Sequence, residues 1–381
     1  MIDVNNFDEI RPYQDQEVGN VINNLIQQDF FVPLIRKIYP DTDPEKFKIA
    51  ISGIDTIHGF QTKIIYPVLK KLLKDTSNGI NFSGFDKLDK NQAHLFISNH
   101  HDIVLDPSVL NFILYEQGHK TTKVAIGDNL VTKNWIKDLA RLNKSFIVHR
   151  SPPIKLAYYY SHRLSNFIKS TILDENESIW IAQRQGRAKD GNDVTQVSLL
   201  KMLAYGGDEN KFTYLRSLNF LPLAISYEYD PCDILKVKEL IAKEKAQSYQ
   251  KSPKEDLISM ATGLIGYKGK IHVSLGNPLY KEFEDIIHHE TSKEQYSSLA
   301  AIIDEQIQSI IKLWPTNYIA YDSLMNMDMY QEKYNEEQKL SFLDYVDKRL
   351  KSAGLTNTES KIMFLSIYAN PVKNKIRLTQ F

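Results

Sequence analysis

The sequence predicts an α/β fold: a mixed, largely parallel β-sheet flanked by helices, with a helical extension at each end of the chain. Between about residues 81 and 280, short apolar runs alternate with longer segments of helical periodicity. The first 75 residues and the segment after residue 290 are mainly helical in pattern and lack such runs. We therefore predict three parts: a helical extension over residues 1–75, an α/β domain over 76–290 and a second helical extension over 291–381.

Strands and helices are expected to alternate regularly through the α/β domain, which is typical of sheets covered by helices. The predicted strands cover residues 94–98, 123–126, 145–150, 177–183, 220–229 and 271–275. The predicted helices between them cover residues 107–117, 130–142, 154–173, 194–205 and 234–247.

The composition is typical of a globular enzyme and argues against several other classes. Lysine and arginine number 47, as do aspartate and glutamate, so the chain has no overall positive charge that would attract nucleic acid. The single cysteine, Cys232, excludes an intrachain disulfide and a cysteine-rich zinc site. No run of 18 apolar residues is present, and the polar start MIDVNNFDEIR does not resemble a signal peptide. We therefore expect a cytoplasmic protein.

A histidine and an aspartate follow the first predicted strand at a spacing that suggests acid/base chemistry. Asp106 and Pro107 are expected to begin a helix, with Asp106 as its N-cap. On one helix, residues five positions apart would point about 140° away from each other, so His101 is expected in the preceding loop. From there, neutral His101 could deprotonate an alcohol while Asp106 orients the imidazole. The alternative is that Asp106 is only a helix cap and His101 only a hydrogen-bonded loop residue.

Cationic residues follow two other predicted strands. Arg150 ends the run SFIVHR, and the loop after ESIWIAQ contains Arg184, Arg187 and Lys189 around Gly186. Ligands of α/β proteins gather at the carboxyl ends of strands, and guanidinium groups bind phosphate through paired hydrogen bonds. Two such arginine-bearing loops favour an anionic headgroup over ordinary solvated charges.

Four sequence blocks resemble those of the glycerolipid acyltransferases, which esterify glycerol-3-phosphate and 1-acylglycerol-3-phosphate. The resemblance covers about residues 80–230. The first block, Asn-His-x4-Asp, is similar to Asn99 or His100 followed by His101 and Asp106. The second, Gly-x-x-Phe-Ile-x-Arg, resembles KSFIVHR at residues 144–150, which has lysine in place of glycine.

The third block, Glu-Gly-x-Arg-Ser, resembles RQGRA at residues 184–188, and we align it so that Arg184 replaces the glutamate. Asp190 or Asp193 could supply a carboxylate in its place. The fourth block, a proline-led strand ending in Tyr-Glu, matches PLAISYE at residues 222–228.

The resemblance implies an O-acyltransferase for phospholipid biosynthesis. His101 would be the base and Asp106 its partner, while Asn99, Arg150, Arg184, Gly186, Arg187 and Lys189 would bind substrate. The donor would be acyl-CoA or acyl carrier protein, and the acceptor 1-acylglycerol-3-phosphate or glycerol-3-phosphate. We expect no metal and no prosthetic group. The altered third block leaves two alternatives open: another lysolipid, such as a lyso-aminolipid, as acceptor, or a catalytically silent lipid-binding protein.

A lipid substrate also implies contact with a membrane surface. Residues 29–40 and 64–74 combine apolar side chains with basic ones and could bind the inner face of a membrane peripherally. An ordinary helix that packs on the core and exposes its lysines explains either segment equally well.

Overall fold

The computed structural model describes residues 3–40, 42–207, 210–245, 252–288 and 291–379. Its centre is a seven-stranded sheet in the order β1-β7-β6-β2-β5-β3-β4, in which only the β6–β7 pairing is antiparallel. The strands are β1 (Ile80–Ser83), β2 (Leu95–Ser98), β3 (Lys123–Gly127), β4 (Ser145–Val148), β5 (Ile179–Ala182), β6 (Phe220–Tyr227) and β7 (Ile271–Leu275). The predicted α/β class with a mixed, largely parallel sheet is confirmed.

The helices precede, connect and follow the strands. Before β2 lie α1 (Asp15–Ile26), α2 (Phe31–Ile38), α3 (Pro44–Ser52), α4 (Ile57–Phe60) and α5 (Tyr66–Thr76). Between β2 and β7 lie α6 (Leu105–Glu116), α7 (Asn134–Leu142), α8 (Ile154–Lys169), α9 (Val197–Leu203), α10 (Lys211–Ser217), α11 (Asp233–Lys245) and α12 (Pro253–Ile265). After β7 lie α13 (Tyr280–Ile287), α14 (Ser292–Ile310), α15 (Pro315–Met325), α16 (Glu336–Ser352) and α17 (Thr358–Thr379). No helix formed by these described residues is long and apolar enough to cross a membrane.

Both faces of the sheet are buried, as the strand β2 shows. Leu95 and Ile97 pack into one hydrophobic cluster and Phe96 into another, because successive strand side chains point to opposite faces. The first cluster also contains Leu299 and Ile303 of α14, so the helix that begins the C-terminal segment packs on the core of the sheet. The division of the chain at 75/76 and 290/291 stays a prediction. Residues 289 and 290 lie outside the described residues, as do the last residues of the helix predicted to end at 247.

The parallel strands end at one edge of the sheet, where the predicted site residues follow them. Ser98 of β2 pairs with Ala182 of β5, and Gly127 of β3 pairs with Val148 of β4. Two loops leave this edge: residues 99–104, which we call the histidine loop, and residues 183–193, which we call the arginine loop. Carboxyl edges of this kind are where α/β proteins bind ligands.

Candidate active site

A buried histidine and aspartate form a hydrogen-bonded pair at the start of α6, but the histidine is not the predicted one. The Nδ1 atom of His100 lies 2.9 Å from Oδ2 of Asp106. The expectation that the imidazole of His101 pairs with Asp106 is therefore wrong. Only the backbone amide of His101 reaches this carboxylate, at 2.7 Å.

The path of the histidine loop explains the difference. Oδ2 of Asp106 accepts hydrogen bonds from the amides of both His101 and Asp102, so the backbone wraps around the carboxylate. The ring of the preceding residue, His100, completes this shell. The ring of His101 points elsewhere: its Nε2 lies 2.9 Å from Nδ2 of Asn99, and its edge meets the ring of Tyr227.

Asp106 is held by four donors. In addition to His100 and the two amides, the hydroxyl of Tyr227 donates to its Oδ1 at 2.9 Å. Asp106 is completely buried, which by itself raises the pKa of a carboxyl. The hydrogen bond with His100 and the nearby histidines outweigh that burial and lower the pKa of Asp106 below its ordinary value. The carboxylate is therefore ionised at neutral pH.

Asp106 does not cap α6 as predicted. The helix begins at Leu105, and Oδ1 of Asp102 accepts hydrogen bonds from the amides of Val104 and Leu105 at 2.9 and 2.8 Å. Asp102 therefore satisfies the first amides of the helix. Burial raises the pKa of Asp102 to about 6. A Cβ on Gly263 of α12 would lie 1.9 Å from Oδ2 of Asp102, so a side chain at residue 263 would displace this carboxylate.

His100 is in the protonation state that a general base requires. Burial lowers its pKa below the ordinary histidine value, although the hydrogen bond to Asp106 acts in the opposite direction. A neutral imidazole that donates from Nδ1 to a carboxylate keeps a lone pair on Nε2. Among the described residues, none hydrogen bonds that Nε2 atom.

His100 lines a cavity of about 420 Å³ at the carboxyl edge of the sheet. Apolar residues from three elements form most of its wall: Ile126 of β3, Leu139 of α7, and Leu199 and Met202 of α9. Polar residues accompany His100 on the wall: His149, Arg150, Arg184 and Gln185. The cavity can therefore accept an apolar chain next to a base and two cations.

Arg150 reaches the cavity by lying against the end of β3. A Cβ on Gly127 would be 2.3 Å from Nε of Arg150, so a larger residue at 127 would displace this side chain. Burial lowers the pKa of Arg150, while the nearby Asp256 and Asp128 act in the opposite direction. An arginine remains charged under these conditions.

The four predicted ligands of the arginine loop have different surroundings. Nε of Arg184 is 3.8 Å from Oδ1 of Asp193, and Lys189 donates to Glu239 of α11 at 2.9 Å. Burial lowers the pKa of Lys189 to about 8. Arg187 is only 6% exposed, and no described residue hydrogen bonds its buried Nη1. Gly186 has φ +76°.

Asp193, one of the two carboxylates that could replace the absent glutamate, is buried beside the histidine loop. Its Oδ2 accepts the amide of His100 at 2.6 Å, and its Oδ1 faces Arg184. Burial raises the pKa of Asp193 to about 7.

Lys144 and Asn99 are explained by the backbone around them. Lys144 has φ +61°, a conformation that disfavours all residues except glycine by about 1–2 kcal/mol, which accounts for the glycine in the second block of the family. Asn99 exchanges two hydrogen bonds, each 2.9 Å long, with the backbone of Ile225. Asn99 therefore fastens the end of β2 to β6, a role different from the predicted substrate contact.

Residues 79–193, which include both loops and the His100–Asp106 pair, match the family model described as Acyltransferase. Residues 79–193 therefore form an acyltransferase domain. The match confirms the acyltransferase that the four sequence blocks predict. No curated protein sequence is significantly similar to this chain. The structure of the chain is similar to that of the 1-acyl-sn-glycerophosphate acyltransferase PlsC from Thermotoga maritima, with a TM-score of 0.38. The two sequences are 8% identical, and the comparison covers 78% of this chain and 97% of that chain. This similarity is too weak to carry an inference about substrate.

Three residues of the acyltransferase site were not predicted as such. His100 appeared only as a neighbour in the first block, and Asp193 only as one of two candidate carboxylates. Tyr227 was part of the fourth block, and its position at the end of an apolar strand was the available signal. None of the three can be assigned from spacing, because each role depends on how a loop folds back.

Proposed function

We propose that the chain transfers a fatty acyl group from a thioester donor to the hydroxyl of a phosphorylated glycerol acceptor, with His100 as general base. The observation that carries this proposal is the buried His100–Asp106 pair, whose histidine lines a largely apolar cavity together with Arg150. The expected acceptor is 1-acylglycerol-3-phosphate or glycerol-3-phosphate, and the donor is acyl-CoA or acyl carrier protein.

The chemistry is a direct transfer. Nε2 of His100 removes the proton of the acceptor hydroxyl, and the oxygen attacks the thioester carbonyl. The tetrahedral intermediate then collapses, the C–S bond breaks, and the leaving thiolate takes the proton from His100. Asp106 stabilises the imidazolium in between. The amides of Gly186 and Arg187, for which the described residues supply no acceptor, are candidates to hold the oxyanion.

Arg187 is the strongest candidate for the phosphate. No described residue forms an ion pair with the guanidinium of Arg187 or hydrogen bonds its Nη1 atom. Burying such a charge is costly, so a bound anion would remove this penalty. Its charge acts on the pKa values of His100, Arg150 and Lys189, which shows that these groups lie within electrostatic range of one another. Arg150 is the second candidate, since it lines the cavity.

Replacing Arg187 tests the acceptor proposal. Arg187→Gln is expected to raise the KM for 1-acylglycerol-3-phosphate by about tenfold to a hundredfold, since a charged hydrogen bond contributes about 1.5–3 kcal/mol. The KM for acyl-CoA should change little, because a phosphate ligand acts on one substrate only. Arg216→Gln is the matched control, since Arg216 pairs with Glu284 on the surface. Equal increases in both KM values would contradict a phosphate contact.

The alternatives make different predictions in the same assay. If phosphate-free lysolipids are acylated faster than phosphorylated ones, the acceptor is another lysolipid. If no thiol is released with any donor and acceptor, the protein is a lipid-binding protein without this activity. The ionised Asp106 beside neutral His100 favours an enzyme.

We also propose peripheral binding to the inner face of a membrane. Helix α5 buries Leu69 and Leu73 and exposes three lysines, which we call the α5 lysines: Lys70, Lys71 and Lys74. Its apolar side therefore packs on the core, and the exposed lysines place positive charge at the surface, where anionic lipid would be attracted. In α2 the buried residues Phe31 and Ile35 also face the core.

A further inference from the structure

The C-terminal helix α17 contacts the arginine loop at two neighbouring points. Nδ2 of Asn370 donates to the backbone oxygen of Asp190 at 2.8 Å. Gly191, with φ +75°, lies so close to the helix that a Cβ would be 2.1 Å from the backbone oxygen of Ile367. Any other residue at 191 would push the loop away from α17.

A proline inside α17 removes the helical hydrogen bond at the point that the arginine loop contacts. Pro371 has no N–H, so the carbonyl of Ile367, four residues earlier, has lost its usual helical donor. That same carbonyl is the one that Gly191 approaches, and a Cα–H group can serve as a weak donor to it. Pro371 thus leaves a carbonyl without its helical donor at the position where Gly191 allows the loop to come close.

The contacted residues lie between the functional groups of the loop. Arg187 precedes Asp190 by three positions, and Asp193, which accepts the amide of His100, follows it by three. A shift of the loop away from α17 would therefore move the candidate phosphate ligand and loosen the support of the candidate base.

The same stretch of α17 also reaches the surroundings of the histidine loop. The hydroxyl of Tyr368 accepts the amide of Asp230, and Ile367 and Tyr368 line a small cavity of about 30 Å³ together with His101. One turn of the C-terminal helix therefore contacts the arginine loop and borders the same small cavity as His101.

We propose that Asn370 is a positioning residue that holds the arginine loop, and with it Arg187, in the geometry that binds the acceptor phosphate. This inference rests on the function proposed above. It makes the C-terminal segment part of the acceptor site, although that segment lies outside residues 79–193, which the family model matches.

The test compares Asn370→Ala with Asn374→Ala in the full chain. Asn374 lies one turn further along α17, and no described residue hydrogen bonds its side chain. Loss of the Asn370 hydrogen bond is expected to raise the KM for 1-acylglycerol-3-phosphate about threefold to tenfold, with the KM for acyl-CoA unchanged. Amide hydrogen exchange across residues 184–193 should accelerate in Asn370→Ala and not in Asn374→Ala. Gly191→Ala is a second variant that should act in the same direction.

The outcomes separate the inference from the function on which it rests. If Arg187→Gln raises the acceptor KM and Asn370→Ala behaves like Asn374→Ala in kinetics and exchange, the positioning role is overturned while the proposed function stands. An equal rise in both KM values for Asn370→Ala indicates general destabilisation and also overturns it. If Arg187→Gln leaves the acceptor KM unchanged, the proposed phosphate site is wrong, and the inference falls with it.

Discussion

Replacing the two adjacent histidines one at a time separates the base proposed above, His100, from the one that the spacing predicts, His101. His100→Ala is expected to lower kcat by about 10²-fold to 10⁴-fold, the usual contribution of a general base. The variant should fold, because Asp106 keeps three donors: the amides of His101 and Asp102 and the hydroxyl of Tyr227. No buried carboxylate is left without a partner.

His101→Ala is the matched control. The ring of His101 is hydrogen-bonded to Asn99, whose Nδ2 also donates to the backbone oxygen of Ile225 at 2.9 Å. Only one hydrogen bond is lost, at a cost of about 1 kcal/mol, so kcat should stay within about fivefold of the wild type. Its backbone amide, which binds Asp106, is unaffected by the substitution.

Release of free thiol from acyl-CoA, measured against pH, reports both effects. The base must be neutral, so kcat/KM should fall as the pH drops through the pKa of His100, and burial puts that pKa below the ordinary histidine value. The wild type should therefore remain active at slightly acidic pH. A folded His100→Ala protein with near-normal activity, combined with an inactive His101→Ala protein, would refute the geometry and restore the assignment made from spacing.

Three further predictions concern Tyr227, Asp193 and the α5 lysines. Tyr227→Phe removes the hydroxyl that donates to Asp106, so the carboxylate becomes more basic. We expect kcat to fall about tenfold with both KM values unchanged, and the acidic limb of the pH profile to move to higher pH. Because the pKa of Asp193 is raised to about 7 in the folded state, ionisation of this carboxyl makes the protein less stable as the pH rises from about 4 to 7. Asp193→Asn should therefore raise the Tm more at pH 8 than at pH 5. An equal change in Tm at both pH values would be evidence against a buried neutral carboxyl. Substitution of all three α5 lysines by Gln should weaken sedimentation with anionic vesicles at low salt, and a wild type that ignores such vesicles contradicts peripheral binding.

The fold could be predicted because buried strands are short apolar runs between helices. All six predicted strands are confirmed, including the long β6, whose eight residues are all buried. The strand β1 was missed because it lies at the edge of the sheet, and its sequence, INFS, is largely exposed. Helices α10 and α12 were missed as well. Local periodicity identifies elements with one buried face more readily than short elements held by tertiary contacts.

The site could be predicted only down to the loops that contain it. On a helix or strand, the regular repeat of the backbone fixes the direction of each side chain. The histidine loop has neither the helical nor the strand repeat, so spacing does not fix its side chains. Its path is determined by Asp106, which collects two loop amides, and by Asp102, which takes the helix-capping role expected of Asp106. Both are tertiary consequences of burying a carboxylate that needs donors. The one-residue error between His100 and His101 therefore has a specific cause.

The structure also changes how the acceptor should be tested. The sequence predicts that four cations bind the phosphate, so replacing Arg184 with the glutamate of the family block would be one test of the acceptor. Arg184 faces Asp193, however, whose pKa is already raised to about 7, and Lys189 is neutralised by Glu239. A glutamate at residue 184 would add a second carboxylate beside a buried one, and its main effect would be on stability. Arg187, buried and without a described ion pair, is the residue whose loss should report on the phosphate itself.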